Sequence, residues 1–369
     1  MTFLAALPEP SRLGDILMAF LSIVFEGAPY ILLGTIFSGF IDAFLPAKLL
    51  DRVLPKNKVL STLIAGFLGL IFPVCECAVV PVIRRLVQKG LPLSCAVAYM
   101  LAAPIMNPIV AISTMTAFKE FEGIAWATAG NATMTIARLS LGYVVAVLVG
   151  LVFIRFKPAQ VLRASVASKI ESATARDDAG HGHTHGATFN GKLVHSMRTA
   201  MRDFLDTAMY FAIGVIITSA FNTQVNQSIL NSVAGNEALA IPSLMGLAMV
   251  LSLCSTSDAF IAAPMAAFSM AAKLAFLVFG PMMDIKLLFM YSSVFQRKVV
   301  VWMMLGLFGL VWLFAHPWTP RKTDAEIAAS KGKQEEVKAW PYPGWYGIIQ
   351  MLYREPTQEA KPATAPATP

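Results

Sequence analysis

Two cysteines flank an acid between prolines in Phe72-Pro73-Val74-Cys75-Glu76-Cys77-Ala78-Val79-Val80-Pro81. Thiolates select soft ions such as Cu(I) or Zn(II), and trivalent arsenic is thiophilic on the same ground. The competing reading is packing, because buried cysteine is a common small core residue. Two thiols around one carboxylate, with Pro73 and Pro81 as helix breaks, favour binding by Cys75, Glu76 and Cys77. Cys95, on an ordinary apolar stretch, reads as core.

A second constellation, Cys254-Ser255-Thr256-Ser257-Asp258, interrupts another apolar run. Unwound carbonyls and hydroxyls of this kind suit a substrate or a coupling ion. Helix capping is the plainer use of Ser, Thr and Asp, and one broken helix accommodates both. A third group joins Pro104, Asn107 and Pro108 with Gly280, Pro281, Asp284 and Lys286. The prolines break or kink helices, and the polar groups turn away from lipid. Asp284 and Lys286 lie two apart, a spacing that does not share a helical face. Each is therefore expected to find another partner.

Glu26, Arg138 and Asp206 are further charges inside apolar stretches. They are candidates for charge coupling or for structural pairing, with Arg138 placed to meet Glu76 or Asp258. His181, His183 and His185 alternate between Gly180 and Gly186. Imidazoles bind Zn(II), Ni(II) or Cu(II), yet the spacing is not that of a structured zinc site, and a passive polar linker is the plainer reading. No resident cofactor is expected. Gly186 to Lys192 imitates part of a phosphate-binding loop, but Leu193 stands where the magnesium-binding Ser/Thr belongs and no strand precedes it. No nucleophile–base motif stands out, so the chain is read as no enzyme.

Composition sets the elements that must position these residues. The chain has 369 residues, 56% hydrophobic and 14% charged, with mean hydropathy +0.63. Soluble domains carry roughly 25% charge, and a bilayer span needs about 20 apolar residues. These values define an all-α polytopic membrane protein. The net charge is +7. Its bases cluster between apolar stretches, as expected of cytoplasmic loops rather than of a nucleic-acid binder. The 4 cysteines all lie in apolar segments and form no disulfide framework. Ile16–Phe25 lacks a basic leader and runs on past Glu26, so it reads as a first span and not a cleaved signal peptide.

Residues 1–154 are expected to form a first membrane repeat and 204–318 a second. Between them, 155–203 is a polar, His-containing cytoplasmic linker. A polar tail, 319–369, contains Trp340, Tyr342, Trp345, Tyr346 and Tyr353. That aromatic segment is expected to lie on the membrane surface, with partner docking as the competing use. Three matches in the same order support duplication. Glu26-Gly-Ala-Pro-Tyr30-Ile-Leu-Leu-Gly34 recurs as Asp206-Thr-Ala-Met-Tyr210-Phe-Ala-Ile-Gly214. Cys75-Glu76-Cys77 answers Cys254 to Asp258, and Ala103-Pro104-Ile-Met-Asn107 answers Gly280-Pro281-Met-Met-Asp284. Internal repeats mark secondary transporters, with sites at the repeat interface.

Charge sets the topology. A crossing between Val59 and Ile83 would put Lys48, Arg52, Lys56 and Lys58 opposite Arg84, Arg85 and Lys89. A re-entrant hairpin places all of them on one side. Each half then holds three spans and one hairpin, and the odd number inverts the second copy. Eight simple spans with parallel repeats is the alternative.

At these residues the sequence resembles the ArsP/YraQ-type family of predicted bacterial permeases, across most of 16–316. The resemblance rests on Pro73-x-Cys75-Glu76-Cys77, Ala103-Pro104-x-x-Asn107-Pro108, Cys254-Ser-Thr-Ser-Asp258-Ala-Phe and Phe279-Gly280-Pro281-Met-x-Asp284. It implies secondary efflux of trivalent arsenicals, notably organic ones, across the inner membrane. Cys75, Cys77 and Cys254 would be transient soft ligands, and Glu76 or Asp258 would carry coupling protons. Ser255, Thr256, Ser257, Asn107 and Asp284 would line the path. The histidine linker and the aromatic tail lie outside that pattern. They leave room for another small solute, a divalent metal ion, or a role as membrane subunit of a permease complex. The expected partners are the bilayer and a small solute, with oligomeric state open.

Overall fold

A computed structural model describes residues 12–44, 55, 57–72, 74–119, 131–164, 189–222, 237–265 and 268–316. Pro73, residues 165–188 of the linker with the histidines at 181, 183 and 185, and the aromatic tail lie outside the described residues. Among the described residues regular structure is helical, apart from one antiparallel bridge between Leu162 and Phe295.

The first half contains α1 (Arg12–Phe44), α2 (Lys58–Ile71), α3 (Glu76–Gln88), α4 (Leu93–Ala102), α5 (Pro108–Lys119), α6 (Asn131–Val152) and the single turn α7 (Pro158–Val161). The second contains α8 (Phe189–Asn222), α9 (Glu237–Leu251), α10 (Asp258–Ala262), α11 (Met270–Met282), α12 (Ile285–Tyr291) and α13 (Arg297–Ala315). Among the described residues five stretches are long and apolar enough to cross a bilayer: Ile16–Phe44, Met134–Arg155, Gly191–Phe221, Met270–Tyr291 and Arg297–Ala315. The protein is therefore an all-α, multi-pass membrane protein.

Cross-helix contacts give the directions. Ser61 on α2 meets Cys95 on α4 at 2.8 Å, and a Cβ at Gly69 would lie 2.6 Å from the Ala103 Cα. Both α2 and α4 thus run the same way, so α3 between them turns back. Helix α6 runs against α4 and α5. Its Gly150 faces Ala98, its Gly142 faces Ile105 and its Arg138 reaches Thr114. Hence α4 and α5 form one interrupted span. Helices α1 and α8 are antiparallel, with Gly27 against Phe211 and Gly39 against Ser196. Helix α12 lies along α8, where Gly214 brings that helix against the Lys286 backbone. Small residues permit these backbone approaches, which lipid-embedded helices use for packing.

The breaks fall differently from the prolines in two places. Pro81 was expected to break the chain but lies inside α3, and Pro281 lies inside α11. Proline removes one backbone donor. Pro81 is the sixth residue of α3, and the helix continues past it with one i→i−4 bond lost. At Pro281 the helix ends one residue later, and Asp284 caps the next helix. Pro104 sits in the turn between α4 and α5, and Pro108 opens α5, the position proline favours.

One end of the bundle collects basic residues. Arg84, Arg85 and Lys89 at the end of α3 meet carboxylates of α1 and α8. At the same end Arg163 touches the Ser292 carbonyl, and its amide donates to the Val294 carbonyl. We call this the basic end.

Candidate functional site

Three helix breaks, before α3, between α9 and α10 and at Asp284, converge at the centre of the bundle. Cys75 precedes α3 as its N-cap, Glu76 is its first residue, and Glu76 is buried. Ser255, in the break between α9 and α10, donates to Glu76 Oε2 at 3.1 Å. Lys286 Nζ lies 3.4 Å from Glu76 Oε1 and 3.2 Å from Asp284 Oδ2. A buried carboxylate needs such partners, because an uncompensated charge in a low-dielectric interior is costly.

The Asp284–Lys286 pair corrects the spacing argument. Asp284 is extended backbone ahead of α12 and accepts from the Leu287 amide at 2.6 Å. Outside the helix, the rule that residues two apart point away from each other does not apply.

A second buried pair stands beside the first. Arg138 donates to Asp258 Oδ2 at 2.7 Å, to Thr114 Oγ1 at 2.7 Å and to the Ser255 carbonyl at 3.1 Å. Of the two partners expected for Arg138, the fold selects Asp258. Ser255 thus links the two ion pairs, its hydroxyl to Glu76 and its carbonyl to Arg138. On the α1 side, Ser257 Oγ lies 3.4 Å from Glu26 Oε1.

A narrow cleft runs into this centre, lined by Ile23, Glu26, Gly27, Tyr30, Cys75, Glu76, Cys77, Phe211, Cys254 and Lys286. The free space within it is about 10 Å³, on the order of one water molecule. Cys77 and Cys254 are buried, and Cys75 is half-buried. All three belong to the cleft, whereas Cys95 is enclosed against Ser61 in the core. Among the described residues no three His, Cys, Asp or Glu side chains form a ready metal cluster. Helix α1 reaches the basic end at Asp42, so its cleft residues Ile23 to Tyr30 place the cleft on the far side of Glu76.

Other expected site residues lie elsewhere. Asn107 is buried and caps α5 through its Oδ1 and the Ile109 amide, 3.0 Å apart. Thr256 turns its carbonyl to Ser113 Oγ. Asp206, the counterpart of Glu26, sits near the basic end and pairs with Arg84 at 3.1 Å, its side chain 55% exposed. It is not part of the central cluster. Gly280 lies in α11 facing Ala248.

Several participants went unassigned in the sequence. Tyr30 and Phe211 line the cleft; Tyr30 falls in the duplicated motif, which was the available signal. Asp203 takes a two-point grip from Arg85, at 2.8 Å and 2.7 Å. Asp203 and Asp206 are three apart on one helix, and that shared face was legible. Lys273, buried on α11, donates to the Ala263 carbonyl at 2.9 Å, and nothing in the local sequence marks it.

A bundle of spans with charged groups gathered at central helix breaks is the architecture of a membrane permease. The profile of a family described as "Predicted permease" matches residues 12–316, and the chain belongs to this ArsP-type family. It is 39% identical over 283 residues to the UPF0718 protein YcgR of Bacillus subtilis, covering 76% of this chain and 89% of that one. It is 35% identical over 293 residues to a Streptococcus mutans protein provisionally named a two-component membrane permease complex subunit. That match covers 79% of this chain and 91% of the relative. No solved structure matches significantly.

Proposed function

We propose that the protein is a secondary permease of the inner membrane that exports a soft, thiophilic solute, with trivalent arsenicals the first candidates. One observation carries the reading: Cys75, Cys77 and Cys254, contributed by both halves, line a single cleft beside Glu76 and Lys286. Thiols and charges at broken helices between two halves are what a soft-solute site requires.

The two halves are read as inverted copies. Antiparallel α1 and α8, and a chain that turns back at α3, support three spans and a hairpin in each half. The basic end then faces the cytoplasm. Export proceeds from that end towards the cleft side, and the tight cleft opens by rearrangement of one half against the other. Among the described residues Glu76, Asp258 and Asp284 are buried against two cations, Arg138 and Lys286, while a third buried cation, Lys273, is turned to the Ala263 carbonyl. One carboxylate in excess provides a place for a coupling proton.

The relative provisionally named a permease complex subunit favours a second reading, in which the chain moves another small solute together with a partner subunit.

The deciding experiment is arsenical accumulation in an arsenic-hypersensitive bacterial host. Cells expressing the protein should hold less methylarsenite or arsenite than cells with empty vector. The Cys75→Ser/Cys77→Ser variant, expressed equally, should lose the difference. Equal accumulation in all three strains would sink thiol-dependent efflux and move attention to the second reading.

A further inference from the structure

We propose that the Lys286 ammonium occupies the place of a coupling metal ion at the second hairpin tip. The tip then needs no alkali metal ion, and removal of the side chain leaves a site for a small monovalent cation.

Unwound segments in transporters expose carbonyls that commonly coordinate sodium. Here every carbonyl from Ser252 to Thr256 already has a donor from the chain. Lys286 Nζ serves Ser252 at 2.7 Å and Leu253 at 3.4 Å. The Cys254 carbonyl accepts from the Ser257 and Asp258 amides, each at 3.0 Å. Ser255 accepts from Arg138, and Thr256 from Ser113. Lys286 also has Glu76 Oε1 and Asp284 Oδ2 close by. The ammonium is thus surrounded by two carbonyls and two carboxylates, a cage of oxygens such as a hard cation would choose.

The backbone adds an independent sign. Ser252 has φ +48°, and among the described residues it alone combines a side chain with positive φ. That conformation is unfavourable for a non-glycine residue and persists where surroundings impose it. It aims the Ser252 carbonyl at Lys286. The same lysine therefore holds the strained tip, the first tip through Glu76 and the third break through Asp284.

The inference concerns ion binding at the tip and does not depend on which solute is carried, so its test uses stability rather than transport. The full chain is purified in detergent, and its Tm is measured at equal ionic strength in choline, sodium, ammonium or methylammonium chloride. The wild type should melt at one temperature in all four. Lys286→Ala should melt lower in choline and recover by about 2–4 °C in at least one small cation. Lys286→Met, which fills the space with a neutral stem, should melt lower and recover in none. A wild-type Tm raised by sodium would overturn the proposal. So would Lys286→Ala that responds to no cation, or that cannot be obtained folded even with ammonium present throughout purification.

Discussion

The Ser255 hydroxyl donates to Glu76 at 3.1 Å across 179 positions of sequence. It joins the break before α3 to the break between α9 and α10, beside the cleft that Glu76 lines. Because the Ser255 carbonyl accepts from Arg138, this one residue transmits position between both buried ion pairs.

Ser255→Ala should remove a donor from a buried carboxylate, a loss of about 1–3 kcal/mol. Ser255→Thr keeps the hydroxyl and should preserve most of both stability and transport. Melting curves and solute accumulation for the two variants check this; equal behaviour of Ala and Thr would show that the hydroxyl is idle.

Arg138 and Asp258 are both buried, side chains 1% and 4% exposed. Arg138→Met alone should destabilise by about 3–5 kcal/mol, since it strands a buried carboxylate. Arg138→Met with Asp258→Leu should recover part of that, although the Ser255 carbonyl and Thr114 still lose a donor. A double variant no more stable than Arg138→Met would contradict the pairing argument.

The basic end closes the bundle beneath the cleft. Glu76 and Arg84 stand eight residues apart on α3, about 12 Å along the helix, and Arg85 holds Asp203 with both ends of its guanidinium. Ser38 Oγ lies 3.1 Å from the same carboxylate. In a Cys254→Ser background, Cys75 should resist an impermeant maleimide applied to the basic side of membrane vesicles. Asp42→Asn with Asp203→Asn should expose it there. Labelling that does not change on this substitution, in folded protein, would show that the network is not the closure.

Glycine positions give opposite expectations. A Cβ at Gly34 would lie 2.6 Å from Ala78 Cβ and 2.8 Å from its carbonyl oxygen, while Gly246 has nothing within 4 Å. Gly34→Val should separate α1 from α3 and lower Tm or yield. Gly246→Ala should stabilise by about 0.5–1 kcal/mol, by restricting the unfolded backbone. Melting temperatures of the two purified variants measure both directions.

The amino-acid sequence alone determined the class of protein, because hydropathy and span length are local properties that lipid enforces segment by segment. It singled out Cys75, Glu76, Cys77, Cys254 and Ser255 as candidates, because two thiols flank an acid between prolines and small polar residues interrupt an apolar run, and the fold brings these residues together. Basic residues on either side of Glu76 were enough to argue that the chain turns back at α3. Only the tertiary structure decided the partners. Arg138 meets Asp258, Asp284 meets Lys286 two residues away, and Asp206 leaves the centre for Arg84 while its counterpart Glu26 stays at the cleft. Those choices depend on where helices break and how they rotate. A helical periodicity extended through Asp284 misplaces its side chain, and no local pattern brings the Ser252 carbonyl, Lys286 and Glu76 into one cage. Such pairings are set by packing between segments far apart in the chain, which compares every buried charge with all the partners the fold brings near.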